Sequence, residues 1–160
     1  MDSAFFRTQK AAAKLKPPIL FGYRSDGELA DPRKVGSENP PVYAPAGTVH
    51  ITMGDYAKYL QWCLKADPKP VLTKQETIDH LQSPHSTSSR STKYGCGWTM
   101  FKSPHGQALQ HAGSNTNSYV LTWILPEKNL AVAAMTNTYE KPHFEACNAA
   151  IVEMFNRHLK

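Results

Sequence analysis

No apolar run in this chain approaches the roughly 20 residues that a membrane-crossing helix needs, and no basic stripe interleaved with aromatics runs along it. The densest basic cluster is only Lys10, Lys14 and Lys16. A net charge of +5 scattered in this way describes a mildly basic surface and points away from nucleic acid as a partner. Cysteine is scarce. Cys63, Cys96 and Cys147 are odd in number and far apart, which argues against a disulfide framework. Each lies in an apolar pattern and reads as a small buried hydrophobe. No Cys-x-x-Cys or His-x-x-x-His spacing occurs, and His105, His111 and His143 fit no ligand pattern, so no metal site is expected. No internal repeat is visible. The first residues, Met1-Asp2-Ser3-Ala4-Phe5-Phe6, carry neither a basic leader nor a long apolar core.

What is present is an ordinary globular composition. Of 160 residues, 41% are hydrophobic and 19% charged, enough for a real core in one domain, 1–160. The 12 prolines concentrate in the first half. Three stretches follow from this: an irregular, cleft-lining segment over 1–50, a helical part over 51–93, and a sheet with a C-terminal helix over 94–160. The Ala-rich patch of residues 1–15 suggests a short helix, ended by Pro17-Pro18. Ile19 to Arg24 suits a short strand, and Ser25-Asp26-Gly27 a turn.

Thr52 and Asp55 resemble a capping box, with Asp in place of Glu. A helix to about Lys65 follows, with Met53, Tyr56, Ala57, Leu60, Cys63 and Leu64 on its inner face and Asp55, Lys58, Gln61 and Lys65 opposite. Thr73 and Glu76 start a second helix through about Gln82, with Ile78 and Leu81 inward. Ser83 to Lys93 has no periodicity and reads as a loop, so its Ser/Thr run is solvated rather than nucleophilic. Tyr94 to Phe101 reads as a strand, Ser103-Pro104-His105-Gly106 as a turn, and Gln107 onward as the next strand. Tyr119 to Leu125 and Leu130 to Thr136 are rich in Val, Ile, Leu and Trp and pair through Pro126-Glu127-Lys128-Asn129, with Asn129 left-handed. A closing helix from about His143 carries the stripe Phe144, Cys147, Ile151, Met154 and Phe155. The class is α+β: a loop-rich segment and two helices, then an antiparallel meander of about three strands packed by a C-terminal helix.

The stretch Gln110-His111-Ala112-Gly113-Ser114-Asn115-Thr116-Asn117-Ser118 sits in front of these apolar strands. A small, polar, glycine-bearing strand edge on a rigid hairpin suits close approach to a ligand.

Five segments occur in a telling order: Ala46-Gly47-Thr48 with Thr52-Met53-Gly54-Asp55-Tyr56-Ala57; Tyr94-Gly95-Cys96-Gly97-Trp98; His111-Ala112-Gly113-Ser114-Asn115; Trp123-Ile124-Leu125-Pro126-Glu127; and Met135-Thr136-Asn137. Together they resemble the C-terminal half of the serine β-lactamase-related hydrolases, that is, class C β-lactamases, DD-peptidases and their esterase relatives. The resemblance covers roughly Ser25 to the end and implies a partial β-lactamase/transpeptidase-like fold. It implies that His111-Ala112-Gly113 takes the place of the Lys-Thr-Gly or His-x-Gly strand that walls the active site. His111 would bind a substrate carboxylate or support proton transfer. The backbone N–H of Ser114 would be one oxyanion-hole donor. Ala112, Gly113 and Asn115 would bind substrate, with Gly113 bare so that substrate can pair along the strand. A small-molecule acyl substrate is implied, and no cofactor.

The departures are as informative. No lysine has a serine three positions earlier, so the family's Ser-x-x-Lys nucleophile motif is absent, and Tyr-x-Asn is absent too. Thr138-Tyr139-Glu140-Lys141 lies just past a strand, and Tyr23-Arg24-Ser25 lies in a turn. The resemblance therefore implies a chain that begins partway through the family domain and is inactive alone. The alternative is a non-catalytic binding or self-association module, with a sheet edge open to a second copy.

Overall fold

The computed structural model describes residues 5–6, 22–24, 26–31, 39–65, 72, 74–87, 89, 91–114, 118–138 and 141–160. Strands β1 (Phe5–Phe6) and β2 (Val49–His50) pair antiparallel, so the described part of the first 15 residues is extended rather than helical. Between them lie a 3₁₀ turn, Pro41–Tyr43, and a single helical turn, α1 (Ala44–Gly47). Two longer helices follow, α2 (Met53–Lys65) and α3 (Gln75–Leu81). Then come β3 (Ser86–Thr87), β4 (Thr92–Gly95), β5 (Trp98–Ser103), β6 (Gly106–Ser114), β7 (Tyr119–Leu125) and β8 (Leu130–Thr136). Helix α4 (Lys141–His158) closes the chain. Among the described residues, no helix is long and apolar enough to cross a membrane.

The α+β class holds, and the sheet is larger than the sequence suggests. Six strands run in the order β3-β4-β5-β6-β7-β8, each antiparallel to its neighbour, where about three are expected. Part of the difference lies at Cys96-Gly97. Tyr94 to Phe101 is not one strand, because Cys96 (φ 46°) and Gly97 (φ 95°) fold it back on itself. Two consecutive left-handed residues between paired Gly95 and Trp98 make the tight hairpin whose twist matches the strands. Another part lies at Ser86–Thr87, a stretch read as loop, which pairs with Lys93 and Tyr94 to start the sheet. The β7–β8 hairpin has the boundaries read from the sequence, and Asn129 takes φ 49° to close it.

Both faces of the sheet are covered, which explains why β7 is apolar on both faces except at Thr122. Leu121 and Leu125 pack with Ala108, Val132 and the α4 residues Cys147, Ile151 and Phe155. Ile124 packs on the other face with Leu109, Met100, Trp98 and the α2 residues Leu60 and Cys63. On that second face Thr122, 1% exposed, shares a 2.7 Å hydrogen bond with the Tyr56 hydroxyl. That contact satisfies a buried hydroxyl that would otherwise be costly.

The capping contact at α2 is present: the Asp55 N–H donates to Thr52 Oγ1 at 3.2 Å. The inner face, however, is rotated from the one read in the sequence. Tyr59 and Trp62 turn inward and stack in a ladder with Tyr56, whereas Met53 and Ala57 are exposed. Large aromatic area outcompetes a single Ala methyl for burial. Asp55, placed on the outer face in the sequence reading, is buried and takes the Lys58 ammonium at 2.6 Å. Burial raises the pKa of the Tyr56 hydroxyl and pushes the Cys63 thiol up to about 11. Thr73 lies outside the described residues, so the second capping box does as well. In α4, Met154 is exposed rather than part of the stripe. Cys63 and Cys147 are buried as expected, but Cys96 is exposed at its hairpin tip.

A short connection ties residues 22–24 and 26–31 to the end of the sheet. Arg24 N–H donates to Glu28 O across the Asp26-Gly27 turn, and Tyr23 N–H donates to Asn137 O at 2.7 Å.

Candidate active-site wall

Strand β6 outruns β5. Its pairing with β5 runs from Ser103↔Gly106 to Thr99↔Gln110, while its pairing with β7 continues through His111↔Thr122, Ala112↔Leu121, Gly113↔Val120 and Ser114↔Tyr119. The cause is the hairpin at Cys96-Gly97, which turns the chain away as β6 goes on. Ala112 and Gly113 are therefore held on one side by β7 and lie past the last β5 partner on the other.

His111 sits where the overhang begins. By strand alternation it shares a face with Leu109, and its cross-strand neighbour Thr122 carries the Tyr56 contact. Its ring lies edge-on to Trp98, with centroids 6.2 Å apart. Nδ1 lies 2.5 Å from the carbonyl oxygen of Gly97. A carbonyl only accepts, so Nδ1 carries the proton in that contact. In the neutral ring the lone pair then belongs to Nε2, on an exposed side chain. A tethered imidazole with one basic nitrogen can accept a proton, and in its charged form it can pair with a carboxylate.

The fold does not itself demand glycine at 113. Gly113 has no left-handed φ, and a Cβ there would meet no described atom within 4 Å. Ser114 ends β6, and Asn115 lies outside the described residues. The structure thus brings His111, Ala112, Gly113 and Ser114 into one exposed strand segment. His105 and His143 are not with them: His105 packs toward Phe155 and His143 lies on α4. A depression of about 340 Å³, lined by residues including Lys93, Lys102 and Gln107, lies along β3 to β6 and does not include His111.

One grouping escaped the sequence reading. His80, His85 and Cys96 each offer a ligand atom within 4.8 Å of the others. Four residues separate the two histidines, a spacing within the His-x3-5-His range of zinc ligands that the sequence reading did not single out. Cys96 joins them only because of the β4–β5 turn.

The described chain is thus an antiparallel sheet covered on both faces, with a polar His-Ala-Gly strand overhanging its neighbour. The Beta-lactamase family profile matches residues 17–154, and the chain belongs to that family. Among solved structures it is similar to the octameric penicillin-binding protein homologue from Pyrococcus abyssi, at 21% identity and a TM-score of 0.70. That likeness covers 96% of this chain and 34% of the other, so this chain spans about a third of that protein's length. No curated protein matches the chain.

Proposed function

We propose that this chain supplies one wall of an acyl-transfer site of the β-lactamase type, with β6 from His111 to Ser114 as the substrate-binding edge. The observation that carries the reading is the overhang of β6 beyond β5, with His111 tethered at its start. Substrate would lie along Ala112 and Gly113 in the manner of an added strand. His111 Nε2 would hold its carboxylate or move its proton, Asn115 would contact it, and the Ser114 N–H would face the developing oxyanion. The substrate class is a β-lactam, ester or amide.

The covalent step needs a nucleophile with an adjacent base. The sequence has no Ser-x-x-Lys, and near β3 the Ser89 hydroxyl is engaged with the Thr92 hydroxyl and N–H. The chain alone therefore forms no acyl-enzyme. Intact mass after incubation with a fluorescent penicillin and with a fluorophosphonate is expected to stay unchanged, with no turnover of nitrocefin or p-nitrophenyl acetate. A stoichiometric adduct on any serine overturns this part of the reading.

The other end of the sheet supports a second element of the reading, self-association. Strand β8 is the last strand of the sheet among the described residues, and Met135 on it is 51% exposed. Such an edge templates pairing with another chain. The similar archaeal protein is octameric. Sedimentation at micromolar concentration is expected to show an oligomer that Met135→Lys shifts toward monomer. A wild-type monomer at every concentration removes the edge from the account.

A further inference from the structure

We propose that His80, His85 and Cys96 form a binding site for one zinc-like divalent transition-metal ion at the tip of the β4–β5 hairpin. One donor atom from each lies within 4.8 Å of the others, and all three side chains are exposed to an arriving ion. Two imidazoles and a thiolate are the ligand types that zinc prefers, and three protein ligands leave a fourth position for water. Bound zinc would draw the three atoms closer, since ligands at about 2.0–2.3 Å from one ion stand within about 4 Å of each other. Exposed side chains make that closure by small rotations.

A second feature points to the same use. A ring nitrogen of His85, Nε2, lies 2.8 Å from the His80 carbonyl oxygen. The carbonyl can only accept, so Nε2 carries the proton and Nδ1 keeps the lone pair. Metal-ligating histidines are oriented in this way, with the second ring N–H given to a backbone carbonyl. The two rings lie with centroids 4.1 Å apart. The backbone holds the group together as well. His85 N–H donates to Tyr94 O at 2.8 Å. Gly95 has no Cβ because one would stand 2.0 Å from the Ser83 oxygen and 3.0 Å from His85 Cδ2. Cys96 thus comes to the histidine pair because Gly95 lets β4 run directly against residues 83–85. On binding, the Cys96 thiol releases its proton to solvent and the thiolate sulfur donates to the metal. The site is independent of the acyl-transfer reading and requires no substrate.

The full chain is titrated with zinc chloride by calorimetry and with cobalt chloride by absorption. One metal per chain is expected, with a near-ultraviolet thiolate-to-cobalt band. Cys96→Ser removes the band, and Cys96→Ser and His85→Ala each weaken zinc binding at least about tenfold. A further readout uses the unmodified chain: one equivalent of zinc slows alkylation of Cys96 by iodoacetamide at least about tenfold, read by peptide mass. Absence of the band and of the protection overturns the site. So does a band that survives in Cys96→Ser, which would assign the sulfur to another cysteine.

Discussion

Replacing Phe155 with Ala is expected to lower the unfolding free energy by about 3–5 kcal/mol, the range for removing a large aromatic from a packed core. Phe155 is 2% exposed, lies across from Trp123 at 6.0 Å between centroids, and joins Cys147 and Ile151 in the only stripe that α4 buries among its described residues. The cavity would open under β6, β7 and β8, so no single neighbour could fill it. A small domain has only about 5–15 kcal/mol to lose. The matched control is Met154→Ala. Met154 is 45% exposed on the same helix, and its truncation should cost within about 0.5 kcal/mol. Urea denaturation of both variants checks this. Equal losses for the two would mean that α4 packs by a different face.

The second large effect is expected at Gly95. An alanine Cβ there would stand 2.0 Å from the Ser83 carbonyl oxygen, a backbone atom that cannot swing aside. Either β4 or residues 83–85 must move, breaking the His85 N–H contact to Tyr94 and the β3–β4 pairing beside it. Overpacking of this kind costs about 1–3 kcal/mol. Gly95→Ala is therefore expected to lower the urea midpoint clearly, whereas Gly113→Ala, whose Cβ meets open space, leaves it within about 0.5 kcal/mol of wild type. A Gly95→Ala variant as stable as wild type would mean that β4 does not run against residues 83–85.

The residues that were legible in the sequence are those whose local chemistry and tertiary role agree. Tyr119 to Thr136 is the clearest case: two apolar runs, a proline and an asparagine able to go left-handed leave one solution, and the structure adopts it. The α2 start was legible from Thr52 for the same reason. Its inner face was not, because helical spacing allowed either Ala57 or Tyr59 inward and the aromatic ladder with Trp62 decides it. In α4, at about 100° per residue, Cys147 and Phe155 lie about 40° either side of Ile151, while Met154 lies about 60° away at the margin. Periodicity alone does not separate the margin from the stripe. The extra strands were hidden for a different reason. Cys96 is an uncommon residue for a left-handed turn position, and β3 is a two-residue strand of Ser and Thr whose only signal is its partner. In the His80–His85–Cys96 group the two histidines have a ligand-like spacing, but Cys96 joins them only once that hairpin folds. The sequence shows the motif at His111 to Gly113, while the overhang that exposes these residues depends on where β5 begins.

Backbone amide and imidazole NMR signals followed while the chain is titrated with benzylpenicillin test whether β6 is a substrate-binding edge. Saturable shifts concentrated at His111, Ala112, Gly113 and Ser114 are expected, and their loss in Gly113→Val, whose side chain would stand in the substrate's place along the strand. Signals at these four residues that stay still while others move, or a Gly113→Val variant that responds like wild type, would contradict β6 as the substrate-binding edge.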